Sequence, residues 1–80
     1  MHYTEKQIFD TGVRLMDTET EPDTTLEFLA CLAILLTGRG HNGPSMVAEH
    51  QGAFLTALDA GFPMGQITDA AAISLELVKK

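Results

Sequence analysis

Apolar residues recur along this chain at helical spacings, separated by short polar or glycine-containing segments. The densest run is Leu26-Glu27-Phe28-Leu29-Ala30-Cys31-Leu32-Ala33-Ile34-Leu35-Leu36, in which only Glu27 is polar. It is long for a buried strand and rich in Leu and Ala, which favour helix. It falls short of the ~20 apolar residues that a membrane span needs. A helix that is apolar all round has to be covered on every side. The pattern predicts a central helix over residues 24–37. Thr24-Thr25-Leu26-Glu27 is a capping box for its start: the Thr24 hydroxyl and the Glu27 carboxylate each accept a backbone N–H of the other.

Three further helices are predicted around it. The first covers residues 4–17 and opens on a second capping box, Thr4-Glu5-Lys6-Gln7. Ile8, Phe9, Val13, Leu15 and Met16 share one broad face, with Gly12 among them, while Lys6, Asp10 and Arg14 form a solvated stripe of ion pairs. Gly12 suits the close approach of another helix. The third helix covers residues 44–60, with Met46, Val47, His50, Ala53, Phe54, Ala57 and Leu58 on one face. Gly61 is its left-handed terminator and Pro63 its stop. His50, in the middle of that stripe, reads as a buried neutral imidazole, with a pH-sensitive interface or a ligand contact as alternatives.

The last helix covers residues 68–78, capped by Thr68. Its apolar arc, built from Ala70, Ile73 and Leu77 and from Ala71, Leu75 and Val78, is wider than one packing contact uses. A homo-oligomer, most simply a dimer, is expected through Ala71, Ser74, Leu75 and Val78. No segment alternates at period two. The expected fold is all-α: a compact four-helix bundle around the central helix, in one domain over residues 1–80.

Charge narrows the partners. The formal net charge is −6, from 11 acidic and 5 basic residues. That balance opposes direct binding to nucleic acid, which needs clustered Lys and Arg, and to an anionic membrane. Between Arg14 and Arg39 there is no basic residue, and Asp17, Glu19, Glu21, Asp23 and Glu27 all fall in that interval. They read either as a solvated loop whose acids favour a helix N-terminus or as a docking patch for a protein with a basic surface. The chain opens on polar Met1-His2-Tyr3-Thr4-Glu5-Lys6 rather than a signal peptide, and Cys31 has no disulfide partner in the chain. Both suit a reducing cytoplasm.

Gly38-Arg39-Gly40-His41-Asn42-Gly43 formally matches the dinucleotide-binding glycine pattern. That motif needs a preceding strand and a parallel sheet, and here it follows an apolar helix. Two readings remain. One is a turn, with Pro44 opening the next helix. The other is a phosphate or nucleotide site formed by Arg39, Gly40, His41, Asn42 and Ser45 with backbone amides. No Ser-His-Asp order with a glycine elbow, Cys-x-x-Cys pair, zinc-protease helix or Walker loop is present, so no catalytic residue, metal or cofactor is expected and the chain does not read as an enzyme.

In size and charge the chain resembles small phage or mobile-element proteins that block host machinery, anti-CRISPR proteins among them. The resemblance implies a small acidic protein-binding module, an inhibitor occupying a basic, nucleic-acid-binding site of its partner. The alternatives are an oligomeric phosphate- or nucleotide-binding protein using residues 38–45 and a structural assembly subunit.

Overall fold

Both capping boxes form. Thr4 Oγ1 accepts from Gln7 N at 3.2 Å and Gln7 Oε1 accepts from Thr4 N at 2.9 Å. Thr24 Oγ1 accepts from Glu27 N at 3.2 Å and Glu27 Oε1 from Thr24 N at 3.1 Å. They start the first two of the five helices among the described residues: α1 (Glu5–Thr18), α2 (Thr25–Gly38), α3 (Gly43–Glu49), α4 (Gln51–Asp59) and α5 (Met64–Val78). The computed structural model describes the backbone of residues 2–78 and the side chains of residues 2–74. Among the described residues there is no strand, and the fold is all-α.

The apolar run on α2 supplies much of the core. Leu29, Leu32 and Leu36 are fully buried, with Ala30 and Ala33 between them. Ile8 of α1, Val47 of α3, Phe54 of α4, and Ile67 and Ala72 of α5 join the three leucines and Ala33 in one cluster. Each leucine-sized side chain removed from water contributes ~1.5–3 kcal/mol. The cover is not complete, because Leu35 is 42% exposed and Cys31 and Ile34 are half-buried.

Two helix ends close as Schellman motifs, in which a left-handed residue lets the last N–H groups turn back onto orphan carbonyls. After α4, Gly61 has φ +89°, Phe62 N donates to Ala57 O and Gly61 N to Leu58 O. After α2, Gly40 has φ +89°, His41 N donates to Leu36 O and Gly40 N to Thr37 O.

The structure departs from the sequence expectation at two elements. The helix expected over 44–60 is broken at His50, whose φ and ψ are −115° and 23°. A continuous helix would offer the Ala48 carbonyl to Gly52 N–H, but it accepts from the Gln51 side chain instead, at 2.9 Å. The same amide grips the N-terminal segment: Gln51 Oε1 accepts from Tyr3 N and Gln51 Nε2 donates to Tyr3 O, both at 2.8 Å. Gln51 is buried, and His50, expected in the apolar stripe, is exposed. The last helix starts at Met64 rather than at 68. Thr68 is not its cap but lies buried within it, its hydroxyl donating to Met64 O at 2.9 Å. A Thr hydroxyl can satisfy itself on the carbonyl four residues back, so this residue type does not by itself mark a helix start.

Candidate functional site

The acidic segment follows directly from how α1 ends. Asp17 lies in its last turn, and Glu19 closes it in the left-handed region at φ 51°. Asp17, Glu19, Glu21 and Asp23 are all exposed, and no basic side chain among the described residues pairs with any of them. Acids at a helix N-terminus are favourable, which accounts for Asp23 and Glu27 before and within the first turn of α2. It does not account for Asp17 and Glu19, which sit at the negative end of α1 without a basic residue in its last turn. Each such charge costs ~0.3–1 kcal/mol. A left-handed residue other than Gly costs ~1–2 kcal/mol more.

Glu27 belongs to a different environment. Its carboxylate accepts from the backbone N–H of Asp23 at 3.0 Å and of Thr24 at 3.1 Å, and Arg14 Nη2 lies 3.1 Å away. The two backbone donors chiefly hold its carboxyl below the usual Glu range; the Thr24 side chain and the Arg14 guanidinium add to this, and partial desolvation opposes it. Arg14, expected in the α1 stripe with Asp10, thus reaches across to α2. Lys6 and Asp10 do pair on the stripe, at 3.3 Å.

Beside the acidic segment α1 leaves apolar surface uncovered. Ile8 and Leu15 turn into the core, but Phe9, Val13 and Met16 are 52%, 50% and 66% exposed. With Gly12, Ile34, Thr37 and Pro44 they line a groove of about 380 Å³ between α1, α2 and the start of α3. No charged side chain among the described residues lines it. Gly12 forms part of its floor, yet the space there does not require glycine. A Cβ would meet Ile34 at 3.6 Å, an ordinary contact, and φ is not positive. Glycine in mid-helix costs ~1 kcal/mol relative to Ala.

Two of the glycines of residues 38–45 have structural duties. Gly38 ends α2 and Gly40 is its left-handed terminator. Gly43 is buried where the start of α3 meets α2, and a Cβ on it would overlap the Ala33 carbonyl oxygen. Arg39 pairs with Asp69 of α5, both side chains about half exposed. Asn42 caps α3 by accepting from Ser45 N at 3.4 Å. His41 is half-buried, and its Nε2 is buried without a hydrogen-bond partner among the described residues.

Between α4 and α5 lies a second apolar concavity of about 430 Å³, lined in part by Phe54, Phe62, Ile67, Ala71 and Ser74. Ala71 packs half-buried against the core and Ser74 is exposed. Leu75 and Val78, the other two residues expected at an oligomer interface, have side chains outside the described residues. Burial pushes the thiol of half-buried Cys31 up, away from the reactive thiolate. Among the described residues no three His, Cys, Asp or Glu converge as a metal site, and no helix is long and apolar enough to cross a membrane.

No protein-family model, curated protein or solved structure matches this chain.

Proposed function

We propose that this chain is a small acidic protein-binding module. It acts as an inhibitor by covering a basic surface on which its partner holds nucleic acid, in the manner of phage or mobile-element proteins such as anti-CRISPR proteins. The observation that carries the reading is the exposed quartet Asp17, Glu19, Glu21 and Asp23, unpaired among the described residues and partly at the wrong end of a helix. A carboxylate cluster that weakens its own helix is accounted for when a partner's Lys and Arg neutralise it on binding. Glu27 serves this surface indirectly, by fixing the chain where it enters α2. The cytoplasm is the compartment where such a partner works. The contacts of α2 with α1, α3, α4 and α5 support a bundle organised around it. Exposed Ser74 and Ile73 leave room for a second copy to pair along α5.

The test is capture of partners from a host lysate on the immobilised chain, compared with a variant carrying Asp17→Asn, Glu19→Gln, Glu21→Gln and Asp23→Asn. The expected partner binds nucleic acid, is released by rising salt, is displaced by its own nucleic acid, and is lost from the neutralised variant. Retention by that variant, or failure of nucleic acid to compete, overturns the reading.

A further inference from the structure

The groove between α1 and α2 stands next to the acidic segment, since Asp17 follows groove-lining Val13 by four residues and is its neighbour on the surface of α1. Two observations point to an occupant. Phe9, Val13 and Met16, at positions i, i+4 and i+7 of α1, are each at least half exposed along one edge. Gly12 keeps the floor open although a methyl group would fit there at ordinary contact distance. Charge selects the occupant. A second copy of this chain would bring its own acids against Asp17 and Glu19, whereas a basic segment would be attracted to them.

We propose that this groove receives the apolar face of a basic amphipathic segment of the partner protein, whose Lys and Arg residues meet Asp17 and Glu19. The inference rests on the acidic-module reading above and adds an apolar anchor to it. Interfaces of this kind place their binding strength in a few desolvated apolar contacts, while rim charges steer and orient. Phe9, Val13 and Met16 supply the wall that the anchor packs against, and the absent side chain of Gly12 supplies its depth.

The probes are two fluorescent peptides of equal charge, one an amphipathic Leu/Lys helix and one a Gly/Lys chain with no apolar face. Wild type is expected to bind the amphipathic peptide more tightly. Val13→Glu separates the possibilities by sign. It adds an acid beside an acidic surface, so docking by charge alone predicts tighter binding, whereas docking in the groove predicts a loss of about tenfold or more. Gly12→Leu should also lose affinity for the amphipathic peptide while leaving the Gly/Lys chain unaffected. Thermal melts identify any variant that fails to fold. Val13→Ser, which removes the anchor wall at an exposed position without adding charge, should then show the same loss. Equal affinity of wild type for the two peptides, or tighter binding by Val13→Glu, overturns the groove inference but leaves the acidic-module reading standing. Failure of both peptides to bind overturns both. Wild-type dimerisation that Val13→Glu abolishes would make a second copy the occupant and overturn the inference.

Discussion

Replacing Gly43 by Ala tests the packing of α3 on α2 with a single methyl group. The added Cβ would overlap the Ala33 carbonyl oxygen, and would lie 2.5 Å from Thr37 Oγ1 and 2.7 Å from Ala33 C. Two of these neighbours are backbone atoms of α2. Thr37 is also tied down, its hydroxyl donating to Ala33 O at 2.8 Å. Comfortable contacts of this type lie at ~3.5 Å, so relieving the overlap with the Ala33 carbonyl oxygen requires the helices to separate by roughly 1.5–2 Å. Separation loosens Val47 and Leu36, both fully buried. Overpacking that shifts backbone costs ~1–3 kcal/mol. A chain of this length has ~4–12 kcal/mol of stability in all, so the loss is a large fraction of it. At ~4–8 °C per kcal/mol, the melting temperature should fall by roughly 5–20 °C. Gly52→Ala is the control, because Gly52 lies in the first turn of α4 with nothing within 4 Å of the added methyl. There Ala should stabilise by ~0.5–1 kcal/mol through helix propensity alone. Thermal and urea denaturation of the two variants should give opposite signs. A Gly43→Ala protein as stable as wild type would refute the close approach of α3 to α2.

Gln51→Leu leaves the Tyr3 backbone and the Ala48 carbonyl without their partner, at a cost of ~1–3 kcal/mol. Amide exchange at Tyr3 should accelerate, and unchanged protection there would show that Gln51 does not hold the N-terminal segment. Glu27 gives a pH dependence with a definite sign. Its folded pKa is lowered, so its contribution is fully present above the unfolded Glu value of about 4.3 and is lost as pH falls through the folded value. The gap in urea midpoint between wild type and Glu27→Gln should therefore be widest near neutral pH and should narrow in acid. A gap that does not change with pH would contradict the role given to its carboxylate.

The helix starts at Thr4 and Thr24 were legible because a capping box is a local device, complete within four residues. Gly61 was legible for the same reason. The break at His50 was not. Val47 and Phe54 remain buried on both sides of it, so the apolar period passes through without a mark. What sets the break is the Gln51 side chain holding Tyr3, 48 residues away. The α1 stripe fails similarly. Spacing places Phe9, Val13 and Met16 with Ile8 and Leu15, but only the positions of α2 and α3 decide which of them are covered. The acidic segment could be located from the sequence, and Glu27 is set apart from it chiefly by the local capping bonds from Asp23 and Thr24, whereas the added ion pair with Arg14, reaching between helices, was not legible. The glycine pattern shows the reverse problem: Gly38, Gly40 and Gly43 resemble a motif in one dimension, yet in three Gly40 terminates α2 and Gly43 lets α3 pack on it.

Gly40 and Gly43 each have a structural reason, whereas the costly features of α1 do not. Gly12 could be Ala, Asp17 opposes the helix dipole, and Glu19 holds a left-handed conformation that Gly would adopt without strain. All three lie along the groove or in the acidic segment beside it. If they serve binding, correcting them should stabilise the protein and disable it. Gly12→Ala contributes ~1 kcal/mol, Asp17→Asn ~0.3–1 kcal/mol and Glu19→Gly about 1 kcal/mol. Together they should add roughly 2–3 kcal/mol and raise the melting temperature by ~10–20 °C, because no two of these changes share a hydrogen-bond partner. The same triple variant should bind the amphipathic basic peptide more weakly than wild type, the trade expected where stability has been given up at a functional surface. Denaturation and peptide titration on one preparation decide it. A triple variant that is no more stable than wild type would mean that these residues have structural duties after all. One that is more stable and binds as tightly would place the docking surface elsewhere on the chain.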